Sequence, residues 1–150
     1  MVVRALPRIL AVVAPVASAL LAAACGSAAP AVGNITASLL VEDGAGSARW
    51  FRDLKVPEGT DGYELLEAAV EGELEATWSA EFQSHFVTRI LGDSPEGNAF
   101  WGVFVWNDGR SAWEPLPVGA DHFNVEEGRV MGWALIEYDP DNPQLPVSVP

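Results

Sequence analysis

The residue types able to do chemistry are few in this chain. It has one cysteine, Cys25, and two histidines, His85 and His122. That set cannot close a zinc cage of several soft ligands within one copy, and a lone cysteine allows no internal disulfide. Neither histidine has a Ser or Cys nucleophile at a recognisable spacing. No G-x-S-x-G elbow, P-loop, H-E-x-x-H or dinucleotide glycine pattern occurs. Catalysis is not expected. Carboxylates are plentiful, as in Glu126-Glu127, and read as a solvated acidic face. Asp139-Pro140-Asp141-Asn142 gathers three oxygen-bearing side chains that could face calcium, but it lacks the glycine and distal glutamate of a binding loop. It reads as a Pro-rich turn, and no metal site is expected.

The position of Cys25 carries more information than its chemistry. Arg4 and Arg8 give a positive start, and no acidic residue precedes Glu42. Ile9 to Leu21 is an apolar run broken by Pro15 and Ser18, and Ala22-Ala23-Ala24 then precede the cysteine. Positive, apolar, then small is the layout of a signal peptide over residues 1–24, with a run too short for a spanning helix. A cysteine at the cleavage boundary resembles a bacterial lipobox, in which it is lipidated and becomes the mature N-terminus. Ala22 stands where leucine is usual, with Leu21 one step further out. Ordinary cleavage at an A-x-A site, leaving a free thiol on a secreted protein, is the alternative. Lipidation of Cys25 is preferred because an exposed unpaired cysteine in an exported chain is otherwise unexplained. The expected location is the outer face of the bacterial cell membrane, with the membrane itself a partner through the anchor. Residues 25–34 form the lipidated N-terminus and a Gly/Ala/Ser/Pro tether.

The whole chain has a net charge of -13, with 8 basic and 21 acidic side chains among 150 residues. Loss of Arg4 and Arg8 on cleavage makes the mature protein more acidic still. Nucleic acid, which is recognised through clustered Lys and Arg, is excluded as an unaided partner. Six Trp and six Phe point to a packed core instead of disorder.

Residues 35–138 hold the elements that must position any site. Ile35, Ala37, Leu39 and Val41 alternate, then Asp43-Gly44-Ala45-Gly46 turns into Trp50, Arg52, Leu54 and Val56 with the same period, predicting a hairpin. Pro57 ends its second strand. Asp61 and Glu64 are spaced as a capping box for a helix with Leu65, Leu66, Ala69 and Val70 on its apolar stripe, stopping at Gly72. Three strands are predicted beyond it, at Phe86–Leu91, Phe100–Trp106 and Val130–Tyr138. Residues 139–150 form a Pro-rich tail outside the core. The predicted class is α+β, a β-grasp-like single sheet with one helix packed across one face.

Particular phrases narrow this further. Val56 to Thr60 leading into E-L-L-E-A-A, His85 to Gly92, Phe100 to Gly109 and Pro117 to Gly128 together resemble the bacterial domain family related to the C-terminal β-domain of transcobalamin and intrinsic factor. The resemblance runs over residues 35–138 and implies a β-grasp fold. It also implies a corrinoid such as cobalamin as candidate ligand, with no catalytic cofactor. The family's corrinoid carriers clamp the ligand between this domain and a helical barrel. The chain has no barrel, so a helical-barrel carrier or a vitamin transporter is the implied partner.

Alternation along Phe100–Asn107 puts Phe100, Gly102, Phe104 and Trp106 on one face and Trp101, Val103 and Val105 on the other. With Phe100 and Phe104 assigned to the helix side, Trp101 is expected on the far face, partly exposed. The segment Ser111–Val118 is a possible cover for it, bringing Trp113 and Leu116 near. The resemblance places Trp101 at the corrinoid site. The expected ligand-binding set is Trp101, Trp113, Leu116, His85 and Phe86. The competing expectation is a cell-surface protein-interaction or adhesion module whose exposed aromatics meet a protein. For His85 and His122 a plain surface or edge position is the bland reading.

Overall fold

The computed structural model describes residues 33–150, so the expected signal peptide and Cys25 lie outside the described residues. Within them the elements run β1 (Asn34–Glu42), β2 (Ala48–Pro57), α1 (Gly62–Val70), β3 (Leu74–Ser79), β4 (Ser84–Ile90), β5 (Ala99–Asn107), β6 (Ala112–Pro115), a 3-10 turn (Ala120–His122) and β7 (Val130–Glu137). Five strands form one mixed sheet in the order β2-β1-β7-β5-β6. All its pairs are antiparallel except β1 with β7. The class is α+β, with a single α-helix among the described residues. Strands β3 and β4 make a separate two-stranded ribbon. Strands β3 and β6 were not predicted. L-E-A-T-W-S is rich in weak strand formers, and A-W-E-P is four residues long; pairing with β4 and β5 makes them strands.

Local chemistry explains the joints. Asp43 Oδ1 accepts from the N–H groups of Ala45 and Ser47, closing the β1–β2 turn. Asp61 Oδ1 accepts from the N–H groups of Tyr63 and Glu64, and Glu64 Oε2 accepts from Asp61 N–H, the reciprocal cap that starts α1. The helix ends as Glu71 and Gly72 take left-handed φ of 48° and 94°. Gly62 opens the helix because a Cβ there would lie 2.8 Å from Met131 Cε. A Cβ would also lie 3.1 Å from the Ala120 carbonyl, so a larger residue here would displace the end of the Met131 side chain and crowd the turn at Ala120.

The helix buries Leu65, Leu66, Ala69 and Val70 against Ala37, Leu39, Val41, Val56, Met131 and Trp133 of the sheet. Trp101 belongs to this same core and is 6% exposed. Leu40, Phe104, Trp113 and Ala134 form a second buried cluster on the far face, with Trp50, Trp106 and Ile136 at its margin. The face assignment of β5 is therefore the reverse of the one expected: Trp101 packs on the helix side and Phe104 on the far side. Periodicity divides a strand into two sets but does not say which set meets the helix.

Two bulges shift the other alternations. Leu54 pairs with Ala37 and Phe51 with Leu39, so β2 carries one extra residue there, and Asp53 takes φ 53°. Trp50 consequently falls in the far cluster while Leu54 and Val56 pack in the helix core, although all three were predicted on one face. In β4, Arg89 pairs with Glu75 and Val87 with Ala76, which brings both Val87 and Ile90 into the core.

The tail corrects a further expectation. Ser111–Val118 does not cover the far face, because its residues Ala112–Pro115 are strand β6 of the sheet itself. Residues 144–148 reach that face instead. Trp113 Nε1 donates to Ser148 O at 2.7 Å, and the buried Glu42 carboxylate accepts from the N–H groups of Val147 and Ser148. Proline spacing hid this role, since it shows only that the segment is not helical.

Candidate functional site

Among the described residues the exposed large aromatics are Trp78, Phe82 and Phe86 of the β3–β4 ribbon and Tyr138 after β7. Trp78 is 54% exposed, Phe82 71% and Phe86 60%, all within nine residues of sequence around one turn. Trp78 pairs directly with His85, and Thr77 with Phe86, so Trp78 and His85 share one face of the ribbon and Phe86 lies on the other.

His85 is held from three directions. Its ring stacks on Tyr63 from the first turn of α1, with centroids 3.9 Å apart and planes 8° from parallel. Trp78 meets it edge-on at 5.1 Å. Its Nδ1 lies 2.5 Å from Asp121 Oδ1. The other oxygen of Asp121 accepts from the His85 backbone N–H at 2.9 Å and from the Ser84 hydroxyl at 2.6 Å. Burial pushes the Asp121 carboxyl up, but these hydrogen bonds outweigh burial and hold it below its ordinary value of 3.8. An ionised carboxylate only accepts, so Nδ1 carries a proton in this contact, and in the neutral ring the lone pair lies on Nε2. Burial, with Glu67 close by, raises the Tyr63 phenol to about 12 and keeps it neutral.

The 3-10 turn that supplies Asp121 comes this close because of Gly119. A Cβ there would lie 2.7 Å from Ser84 Cβ. The same turn carries His122, whose Nε2 donates to the Phe82 carbonyl at 3.3 Å. Helix, ribbon and turn thus converge on one patch. Among the described residues, no group of three His, Cys, Asp or Glu side chains stands ready to hold a metal ion. The arrangement presents flat apolar surface beside a single oriented imidazole.

The expected ligand-binding residues do not form one site. His85 and Phe86 belong to the ribbon. Trp101 is buried in the helix-side core, where its Nε1 has no hydrogen-bond partner. Trp113 is buried on the far face. Leu116 is half-buried and lines a cleft of ≈ 310 Å³ with Phe100, Phe104, Ile136, Tyr138 and Pro143. Trp78, Phe82, Tyr63 and Asp121 were not anticipated. The spacing of Trp78, Phe82 and Phe86 around a turn was a readable signal. Asp121 had none, because it stands 36 residues from His85.

No family model matches the chain, and no curated protein matches it. Solved structures do. A protein from Ruminococcus gnavus ATCC 29149, titled a "putative metal binding protein", superposes with a TM-score of 0.55 at 18% identity, over 70% of this chain and 99% of that one. Haptocorrin in complex with Cbi superposes with a TM-score of 0.58 at 16% identity, over 71% of this chain. The match takes up 26% of the haptocorrin chain, about a quarter of its length. At these identities the likeness is one of fold.

Proposed function

We propose that this chain is an exported, lipid-anchored ligand-binding domain without catalysis, and that its docking surface is the aromatic end of the β3–β4 ribbon. The observation that carries this reading is the exposure of Trp78 on the same face of the ribbon as a His85 ring fixed by Tyr63 and Asp121, with Phe82 exposed at the adjoining turn. Nothing in core packing calls for large aromatics in water, whereas a flat ligand gains stacking area from Trp78 at little entropic cost. A corrinoid such as cobalamin is the named candidate, supported by the sequence resemblance and by the fold shared with haptocorrin, which was crystallised with Cbi.

The patch is open, so it supplies one wall. A ligand left half in water binds at roughly micromolar strength or weaker, and high affinity calls for a helical-barrel protein or a transporter on the other side. The openness also favours the second reading, a protein-interaction or adhesion module, because protein interfaces are flatter than small-molecule pockets.

Calorimetry of the full-length chain with cobalamin and cobinamide tests the first reading. Binding that weakens about tenfold, ~1.4 kcal/mol, in Trp78→Ala is expected. No heat with either corrinoid at concentrations well above micromolar, from folded protein, would remove corrinoids as unaided ligands.

A further inference from the structure

We infer that the far face of the sheet is a second docking surface, separate from the ribbon, that takes a proline-containing segment of another protein, and that the chain's own tail is its displaceable resident. The floor of this surface is aromatic. Trp113 stacks on Trp50 with centroids 6.4 Å apart and meets Trp106 edge-on at 5.3 Å. Its indole lies over Gly132, where a Cβ would come within 3.1 Å of the ring. Two buried residues, Glu42 and Trp113, supply the polar groups. Both bond to the backbone of the tail: Val147 N–H and Ser148 N–H each donate to one oxygen of Glu42, and Ser148 O accepts from Trp113 Nε1.

These contacts define the chemistry of the occupant. Two successive N–H donors exclude proline at either position, and the residue before them is Pro146, the one buried residue of 139–150. Leu145, Val147 and Val149 remain exposed, so side chains there are free to vary. Ser148 is half-buried, which favours a small residue. The recognised unit is therefore a proline followed by two residues with free N–H groups, the second of them small. Main-chain bonds for affinity and one buried side chain for specificity is how grooves read extended peptides. The tail itself is held lightly. Among the described residues, 139–150 make no backbone–backbone hydrogen bond, and Asp139 only closes its own turn with the N–H groups of Asp141 and Asn142. A segment so attached opens at low cost. Opening bares the tryptophans and strips Glu42 and Trp113 of their partners, which a segment of the same chemistry restores.

The probe is a synthetic peptide of residues 144–150, added to the full-length chain labelled with ¹⁵N. A short tether holds the resident tail at an effective concentration of roughly millimolar, so the peptide should displace it in that range. The Val147 and Ser148 amide signals of the chain should then move to those of an unbound tail, while the Trp113 indole N–H signal stays in place. Pro146→Glu in the chain, which brings a second carboxylate close to Glu42, should free the groove and tighten peptide binding about tenfold. The same substitution in the peptide should abolish binding. A peptide carrying Leu145→Gln, Val147→Thr and Val149→Thr should bind as well as its parent. Unmoved tail signals in folded wild-type protein, at peptide concentrations well above that range, would overturn the inference whether or not Pro146→Glu folds. Binding indifferent to the proline of the peptide would overturn the stated chemistry. Shifts confined to Trp78 and His85 would put the peptide on the ribbon and overturn the choice of face.

Discussion

The carboxylate of Glu42 accepts the backbone N–H of Ser148 at 3.0 Å, joining the end of the first strand to the end of the chain. Its other oxygen takes Val147 N–H, and Trp113 Nε1 caps Ser148 O. These bonds seat the tail on the far face of the sheet. Hydrogen bonds to a charged group contribute roughly 1.5–3 kcal/mol. Glu42→Ala should therefore lower stability by about 2 kcal/mol and open the tail to carboxypeptidase. An unchanged urea midpoint with an equally resistant tail would show that the strap carries no weight.

Asp121 makes the ribbon sensitive to acid. Burial alone would raise its carboxyl pKa, but the bonds from Ser84 and His85 leave it lowered in the folded state. A depressed carboxylate adds stability that is present above its unfolded value and disappears as pH falls through the folded one. Asp61, raised mainly by burial, works in the opposite sense, so the comparison must be with a variant and not with zero. Between pH 6 and pH 3 the wild type should lose more stability than Asp121→Asn in urea titrations. Parallel losses would mean that the carboxylate is not held as described.

Trp78 and Trp101 should behave as opposites. Trp101 is packed with the helix, and truncating a buried tryptophan costs about 3–5 kcal/mol. Trp78 is exposed, so Trp78→Ala should cost less than about 1 kcal/mol while weakening ligand binding. Thermal melts of the two variants check this directly; similar melting temperatures would contradict the assignment of faces.

Membrane attachment is expected to depend on Cys25. Each buried methylene of an acyl chain contributes about 0.8 kcal/mol, enough over two or three chains for stable anchoring, whereas an acidic domain is repelled by anionic lipid. Cys25→Ser should leave the membrane fraction or remain unprocessed. A variant cleaved after Ala24 that still sediments with membranes would exclude the lipid anchor.

What could be read before folding was local. Alternation and turn chemistry disclosed the β1–β2 hairpin. The spacing of Asp61 and Glu64 disclosed the helix start, and its apolar stripe is the face that packs. These depend on neighbours within a few residues, so they are written in the linear order. The faces of β5 were not, because either set of a period-2 pattern is apolar enough to meet a helix, and the choice follows from how the whole sheet stacks. Bulges at Asp53 and Thr88 reversed alternation midway in two strands, and a single extra residue leaves no compositional trace. The site shows the same division. His85 and Phe86 were legible as a histidine and an aromatic on a strand. Only the folded chain joins His85 to Asp121 and Tyr63, because the hydrogen bond spans 36 residues, with Gly119 letting the turn approach Ser84, and the stack needs helix and ribbon packed together.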